Sequence, residues 1–344
     1  MSRLRALALA FAPGVGPKKY AELVAQFGTA AQAFDATVHA RHATLALGTA
    51  SDALTHALAA GAALLLLGDE TYPPRLLELP DPPPFLFTRG DLGLLARPVI
   101  AVVGTRDATP YGERVTRRVA GALAAAGACV LSGMARGIDA VAHFAALEAG
   151  GATAAVLGCG VDIPYPRAHR VLHERIARGG LLLSEFRCGE PPNKGSFPRR
   201  NRIIAGLASA TIVVEAGHRS GALLTSGYAL DLGRAVAAVP GPMDAAQSVG
   251  ANHLLRDGAI VIAAVADALA LAGMPPIQSV DRAVLVGDER TVWDLLARGP
   301  QHVDALAAAS DLPPRRCLAA LTALELVGRV AVDATGAFAR AGER

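Results

Sequence analysis

The sequence predicts an α/β protein: a mostly parallel, doubly wound sheet, with a small helical domain before it and a second, mostly helical module after it. Two observations carry this. Between residues 98 and 262 short apolar runs alternate with helical patterns, from PVIAVVG through ACVLS, TAAVLG, LLLSE and ATIVVEA to AVAAVP. Runs that are apolar at every position belong to strands buried on both faces, as in a parallel sheet covered by helices. The loops after several of these runs also carry glycine with arginine or a hydroxyl, and in open α/β sheets such loops line the ligand crevice.

Each element follows in order. Residues 1–66 read as short helices, with a Gly-Val-Gly-Pro turn in FAPGVGPKKYAELVAQFGTAAQAF. The turn fits a helix-hairpin-helix or SAM-type bundle in which its amides and Lys18/Lys19 touch DNA phosphates. It fits equally a tight turn in a small bundle, which the segment's neutral charge favours. Residues 67–97 are proline-rich and read as a lead-in with one edge strand, LFTRG. Residues 98–272 hold the sheet, with helices expected near 111–126, from 138, over 167–178, at RNRIIAGLA and over 221–233. A linker spans 273–287. Residues 288–344 give three helical patterns and a short hairpin, the winged-helix order, with SDLPP as the turn before a third helix near Pro314.

Composition narrows the function. The chain has 344 residues, 52% hydrophobic and only 4% aromatic. Its four cysteines, Cys129, Cys159, Cys188 and Cys317, form no CxxC pair, so neither zinc site nor disulfide framework is indicated, and a reducing cytoplasm is the simplest setting. The N-terminus lacks the long apolar region and cleavage site of a signal peptide. AALLLLG (62–68) is too short to span a bilayer. Residues 101–262 hold 17 basic and 12 acidic side chains, so the positive charge lies in the middle, where a polyanion would bind.

The strand ends are specific. GTRDATPYG (104–112) is not GxGxxG, so no dinucleotide fingerprint stands there; Thr105 and Arg106 instead suit a phosphate. SGMARGID (132–139) keeps the backbone bare, and Asp139 reads as a helix cap or the holder of an arginine. GCGVDIPYP is followed by Arg167 and Arg170. EAGHRSG supplies Arg219 and Ser220. KGSFPRRNR places Lys194, Arg199, Arg200 and Arg202 together with Asn201 and no acid. Helical spacing sets Arg199 and Arg202 on one face and turns Arg200 by about 100°, so part of this charge is expected to brace Glu215 or Asp139 and part to face phosphate. Phe197 is the stacking candidate, or else a plug under its loop. No nucleophile elbow, metal cluster or Walker motif is present, which points away from catalysis and from a cofactor; Glu215 reads as an arginine anchor.

These motifs, with VLGCGVDIPYP, SFPRRNRIIAGLA, VVEAGHRSGALLTSGYAL, VPGP and GANHLLRDGA, resemble the bacterial DNA-processing DprA (Smf) family over most of residues 100–262. The resemblance implies an extended Rossmann-like fold without a nucleotide cofactor, flanked by SAM-like and winged-helix domains. It implies a homodimer that binds single-stranded DNA and loads RecA recombinase on it during natural transformation. Its DNA-binding residues would be Arg106, Arg167, Arg170, Lys194 and Arg199–Arg202. The dimer and RecA surfaces would fall near 235–265. The winged helix, with seven basic and eight acidic residues, reads as accessory rather than as the main DNA reader. The alternative is a phosphoribohydrolase-like enzyme of the LOG type, whose PGGxGTxxE motif is missing here.

Overall fold

The computed structural model describes residues 2–275, 285–326, 329–333 and 335–340. Most of the expected linker, 276–284, lies outside them. The chain forms two compact units, 1–277 and 278–344.

The first unit opens with four helices, α1 (Ser2–Ala10), α2 (Pro17–Phe27), α3 (Ala30–Thr37) and α4 (Ala40–Ala59). Two strands follow, β1 (Ala63–Leu66) and β2 (Phe85–Gly90). The α/β alternation then runs β3 (Val99–Val103), α5 (Pro110–Ala125), β4 (Cys129–Ser132), α6 (Ile138–Glu148), β5 (Ala152–Val156), α7 (Arg170–Gly179), β6 (Leu181–Ser184), α8 (Ser196–Leu207), β7 (Ala210–Val213), α9 (Gly221–Asp231), β8 (Ala235–Ala238), α10 (Val249–Arg256), β9 (Ile260–Val261) and α11 (Val265–Leu271).

The nine strands form one sheet in the order β1-β2-β6-β5-β4-β3-β7-β8-β9. From β6 to β9 all pairs are parallel; β1–β2 and β2–β6 are antiparallel. Every residue of β3 is buried, and successive side chains serve opposite faces. Ile100 and Val102 pack with α5, α6 and α11. Val99, Ala101 and Val103 pack with Ile203, Ile204 and Leu207 of α8. The chain leaves β3 toward β6 and returns to β7 on the other side of β3. The topological switch point therefore lies between the loops after β3 and β7, where such sheets place ligands.

One expectation needs correction. The run AALLLLG contains β1, the edge strand, whereas LFTRG belongs to β2 and is paired on both sides. The proline-rich lead-in packs against the α/β unit. Its turn of 3-10 helix, Pro74–Glu78, packs on α8, with Leu76 and Leu79 against Gly206. Tyr72 donates to the Pro83 carbonyl at 2.8 Å. Prolines remove donors without preventing a segment from packing.

The second unit comprises α12 (Asp288–Leu295), α13 (Val303–Ser310), α14 (Pro314–Leu326) and an antiparallel pair, β10 (Val330–Val332) and β11 (Phe338–Arg340). Val292, Leu296, Leu306, Cys317, Leu321 and Leu324 form its core. Among the described residues no helix is long and apolar enough to cross a membrane.

Candidate nucleic-acid interface

The turn after β3 is held from two sides. The Thr105 amide donates to Glu215 O at 2.7 Å, and the Ile138 amide donates to Thr105 O at 3.2 Å. Gly137 has φ +73°, and a Cβ there would overlap the Thr105 carbonyl. So fixed, the turn projects the exposed Arg106 across the switch point. Its guanidinium lies 5.3 Å from the Phe197 ring centroid. The Tyr165 ring lies 5.5 Å from Phe197 on centroids. These groups border a cavity of about 730 Å³ that Lys194, Arg219 and Ser220 also line. A smaller cavity of about 360 Å³ shares Arg106, Tyr165 and Phe197. A cation-rimmed hollow with a half-buried aromatic ring offers both charge for phosphate and a face for a base.

The cluster on α8 divides its labour. Arg200 is buried: its Nη2 lies 3.8 Å from Asp139 Oδ2, and its Nη1 donates to Gly133 O at 2.7 Å and to Val156 O. Asp139 also accepts from the amides of Gly133 and Ala135. Burial pushes the Asp139 carboxyl up, while Arg200 and these amides oppose the shift. Arg200 thus stands in the cavity wall as a clamp between β4 and β5. Arg202, equally buried, meets Glu185 Oε2 at 2.5 Å and Asp81 at 3.2 Å. It lines neither cavity described above, so the structure assigns it to bracing and not to phosphate. Arg199 Nε lies 3.0 Å from Glu185 Oε1, and the side chain remains half exposed. Glu185 is pushed up by burial and held back by Arg202 and Arg199.

Glu215 is not an arginine anchor. Its carboxylate accepts from the Thr109 amide at 3.0 Å and from the Thr109 hydroxyl, fixing the N-terminus of α5, which Thr109 caps. Asn201 donates to Gly221 O at 3.2 Å and accepts from Arg200 Nε, tying α8 to the N-terminus of α9. Ser220 caps α9 through the Ala222 amide. Thr105 accepts from the Asp107 amide at 3.2 Å. Arg167 and Arg170 are exposed beyond the smaller cavity and line neither; Arg170 pairs with Glu174 at 3.2 Å. Sequence reasoning passed over Tyr165 and His218, which line the larger cavity. The dipeptide Tyr165-Pro166 in so aromatic-poor a chain was the available signal for the first.

Comparison with known proteins agrees with this architecture. Residues 63–273 match the family model described as DNA recombination-mediator protein A, and residues 279–334 match the DprA winged helix domain. A putative DNA processing protein DprA of Mycobacterium tuberculosis (strain H37Rv) is 45% identical over 236 residues, 66% of this chain; the match spans 61% of the relative's length. The X-ray structure of DNA processing protein A from Streptococcus pneumoniae matches with a TM-score of 0.70 at 34% identity, covering 78% of this chain and 98% of that one. A Helicobacter pylori DNA processing protein A structure, described in terms of its single-stranded DNA binding mode, matches with a TM-score of 0.54 at 34% identity over 59% of this chain and 92% of that one. With the family model covering well over half its length, the chain belongs to the DNA recombination-mediator protein A family.

Proposed function

We propose that this chain binds single-stranded DNA at the switch-point cavity, with Arg106, Lys194 and Arg219 on phosphates and Phe197 on a base. The observation that carries the reading is the contact of Arg106 and Phe197 at the lip of a cation-rimmed cavity. Single strands present phosphates and base faces together, and this site answers both. The single-stranded DNA binding mode described for the Helicobacter pylori relative supports it. The role is that of a non-enzymatic mediator in the cytoplasm: it shields incoming strands and loads RecA on them during natural transformation. The acids near the cavity fit a binding role, since Asp139 is engaged by Arg200 and two amides and Glu215 by Thr109. A homodimer through 235–265 is part of the same reading. The edge strand β9 exposes Ile260 and Val261, and Met243 is 90% exposed nearby in sequence. The winged-helix unit acts as an accessory.

A gel-shift salt series with oligo-dT tests the central claim. Arg106→Ala is expected to lower the slope of log affinity against log salt by about 0.7, the loss of one phosphate contact on a single strand. Phe197→Ala is expected to weaken binding by about 1–3 kcal/mol with the slope unchanged. Folded variants that keep both affinity and slope would overturn the assignment.

A further inference from the structure

A third cavity, of about 410 Å³, also draws on the first turn of α8. Phe197, Pro198 and Arg200 of α8 line the switch-point cavity, while Arg199 lines this one. Its remaining walls come from the end of α1 and the α1–α2 turn, from Thr49 of α4, from Pro84 and Phe85 at the start of β2, and from the segment after β6. Two arginines give it a distinct surface. Arg199 lies over the Phe186 ring at 5.4 Å, and Arg187 lies over the Phe11 ring at 5.6 Å. Each guanidinium is thus within cation–π range of a ring, with about half of its side chain open to solvent. Guanidinium planes can stack nucleobases as aromatic rings do, and they carry positive charge for the adjoining phosphate. Two carboxylates also belong to the site. Glu185 is buried and shared between Arg199 and Arg202. Glu190 is 3.4 Å from Arg187 Nε at one oxygen. The volume falls in the range that holds a small ligand.

We propose that this cavity is a second nucleotide subsite for the same single strand, which crosses the first turn of α8 from the Phe197 cavity and stacks a base on Arg187 or Arg199. The inference rests on the single-strand reading above. The two cavities are lined by neighbouring residues of one turn of α8, Phe197, Pro198 and Arg200 for one and Arg199 for the other, so one continuous chain can reach both. It also gives a use to the exposed face of Arg199, which lines neither the switch-point cavity nor its smaller neighbour.

The test compares oligo-dT of two lengths, one of about four nucleotides that fills only the first cavity and one of about sixteen that reaches both. Arg187→Ala is the variant of choice, because its side chain is half exposed and its ion pair is a surface one. It is expected to weaken the longer oligonucleotide about tenfold, with a salt slope about 0.7 smaller, and to leave the shorter unchanged. Photocrosslinking of the longer oligonucleotide carrying 5-iodouracil is expected to label the segments containing Phe11 or Phe186 as well as the one containing Phe197. Unchanged affinity for both lengths, equal weakening of both, or crosslinks confined to the Phe197 segment would each refute the subsite. The single-strand reading itself fails separately, if Arg106→Ala leaves binding of the shorter oligonucleotide intact.

Discussion

Arg200 and Arg106 both line the switch-point cavity, yet the structure gives them different work, and a paired substitution separates them. Arg200→Ala takes the guanidinium from the buried Asp139 carboxylate and leaves the carbonyls of Gly133 and Val156 without their side-chain donor. Breaking a buried ion pair from one side costs about 3–5 kcal/mol. Asp139 would still accept from the amides of Gly133 and Ala135, which places the expected loss near the lower end, about 3 kcal/mol. A typical domain has about 5–15 kcal/mol to lose, so the variant should fold and can be assayed. Urea unfolding reads the first quantity. The salt slope of single-strand binding reads the second, and for Arg200→Ala it should stay at the wild-type value. Arg106→Ala should do the reverse, changing stability by no more than about 0.5 kcal/mol while lowering the slope. An Arg200→Ala protein as stable as wild type, with a reduced slope, would show that Arg200 meets phosphate and that its internal contacts are incidental.

Two further outcomes test the scaffold. Gly137→Ala must hold a side chain at φ +73° against the Thr105 carbonyl; a loss of about 1–3 kcal/mol in urea unfolding is expected, together with weaker oligo-dT binding as the Arg106 turn moves, and an unchanged protein would sink this account of the turn. His143 is buried on α6, and the Thr153 hydroxyl donates to Val130 O, so the imidazole donates from Nδ1 at 2.7 Å and stays neutral. Burial pushes its pKa down to about 3. The unfolded chain then takes up this proton first as pH falls below about 6.5. Folding stability should therefore decline between pH 6.5 and 3 by up to about 1.4 kcal/mol per pH unit from this site, and His143→Gln should show a shallower decline in urea titrations across that range.

Much of the architecture was legible because parallel strands announce themselves: PVIAVVG is apolar at every position and ATIVVEA nearly so, and β3 and β7 are buried throughout. AALLLLG has the same character, but it follows a long helix and precedes a proline-rich stretch, so nothing local marked it as an edge strand. The site was legible in part. Arg106 and Phe197 stand out by motif, and their contact joins residues 91 positions apart in sequence only through the fold. The fates of Arg199, Arg200 and Arg202 were readable as a split between helix faces. Which acid receives which arginine depends on Glu185, Asp139 and Asp81, which reach α8 from three separate segments. Glu215 misled because a lone glutamate at a strand end beside arginines suggests a pair, whereas the nearest donors are those of Thr109.

Gly133 and Arg200 form a lock with two keys. Any Cβ at 133 would run into the Arg200 guanidinium, so neither position can drift without the other. It follows that SGMARGID and SFPRRNR, two of the motifs that resemble the family, hold an internal joint between strands and helix through Gly133 and Arg200. A descendant could keep this joint intact while changing only Arg106, Lys194 and Phe197, the residues proposed above to meet the strand. The joint and the proposed strand contacts therefore fall on different residues of the same few turns.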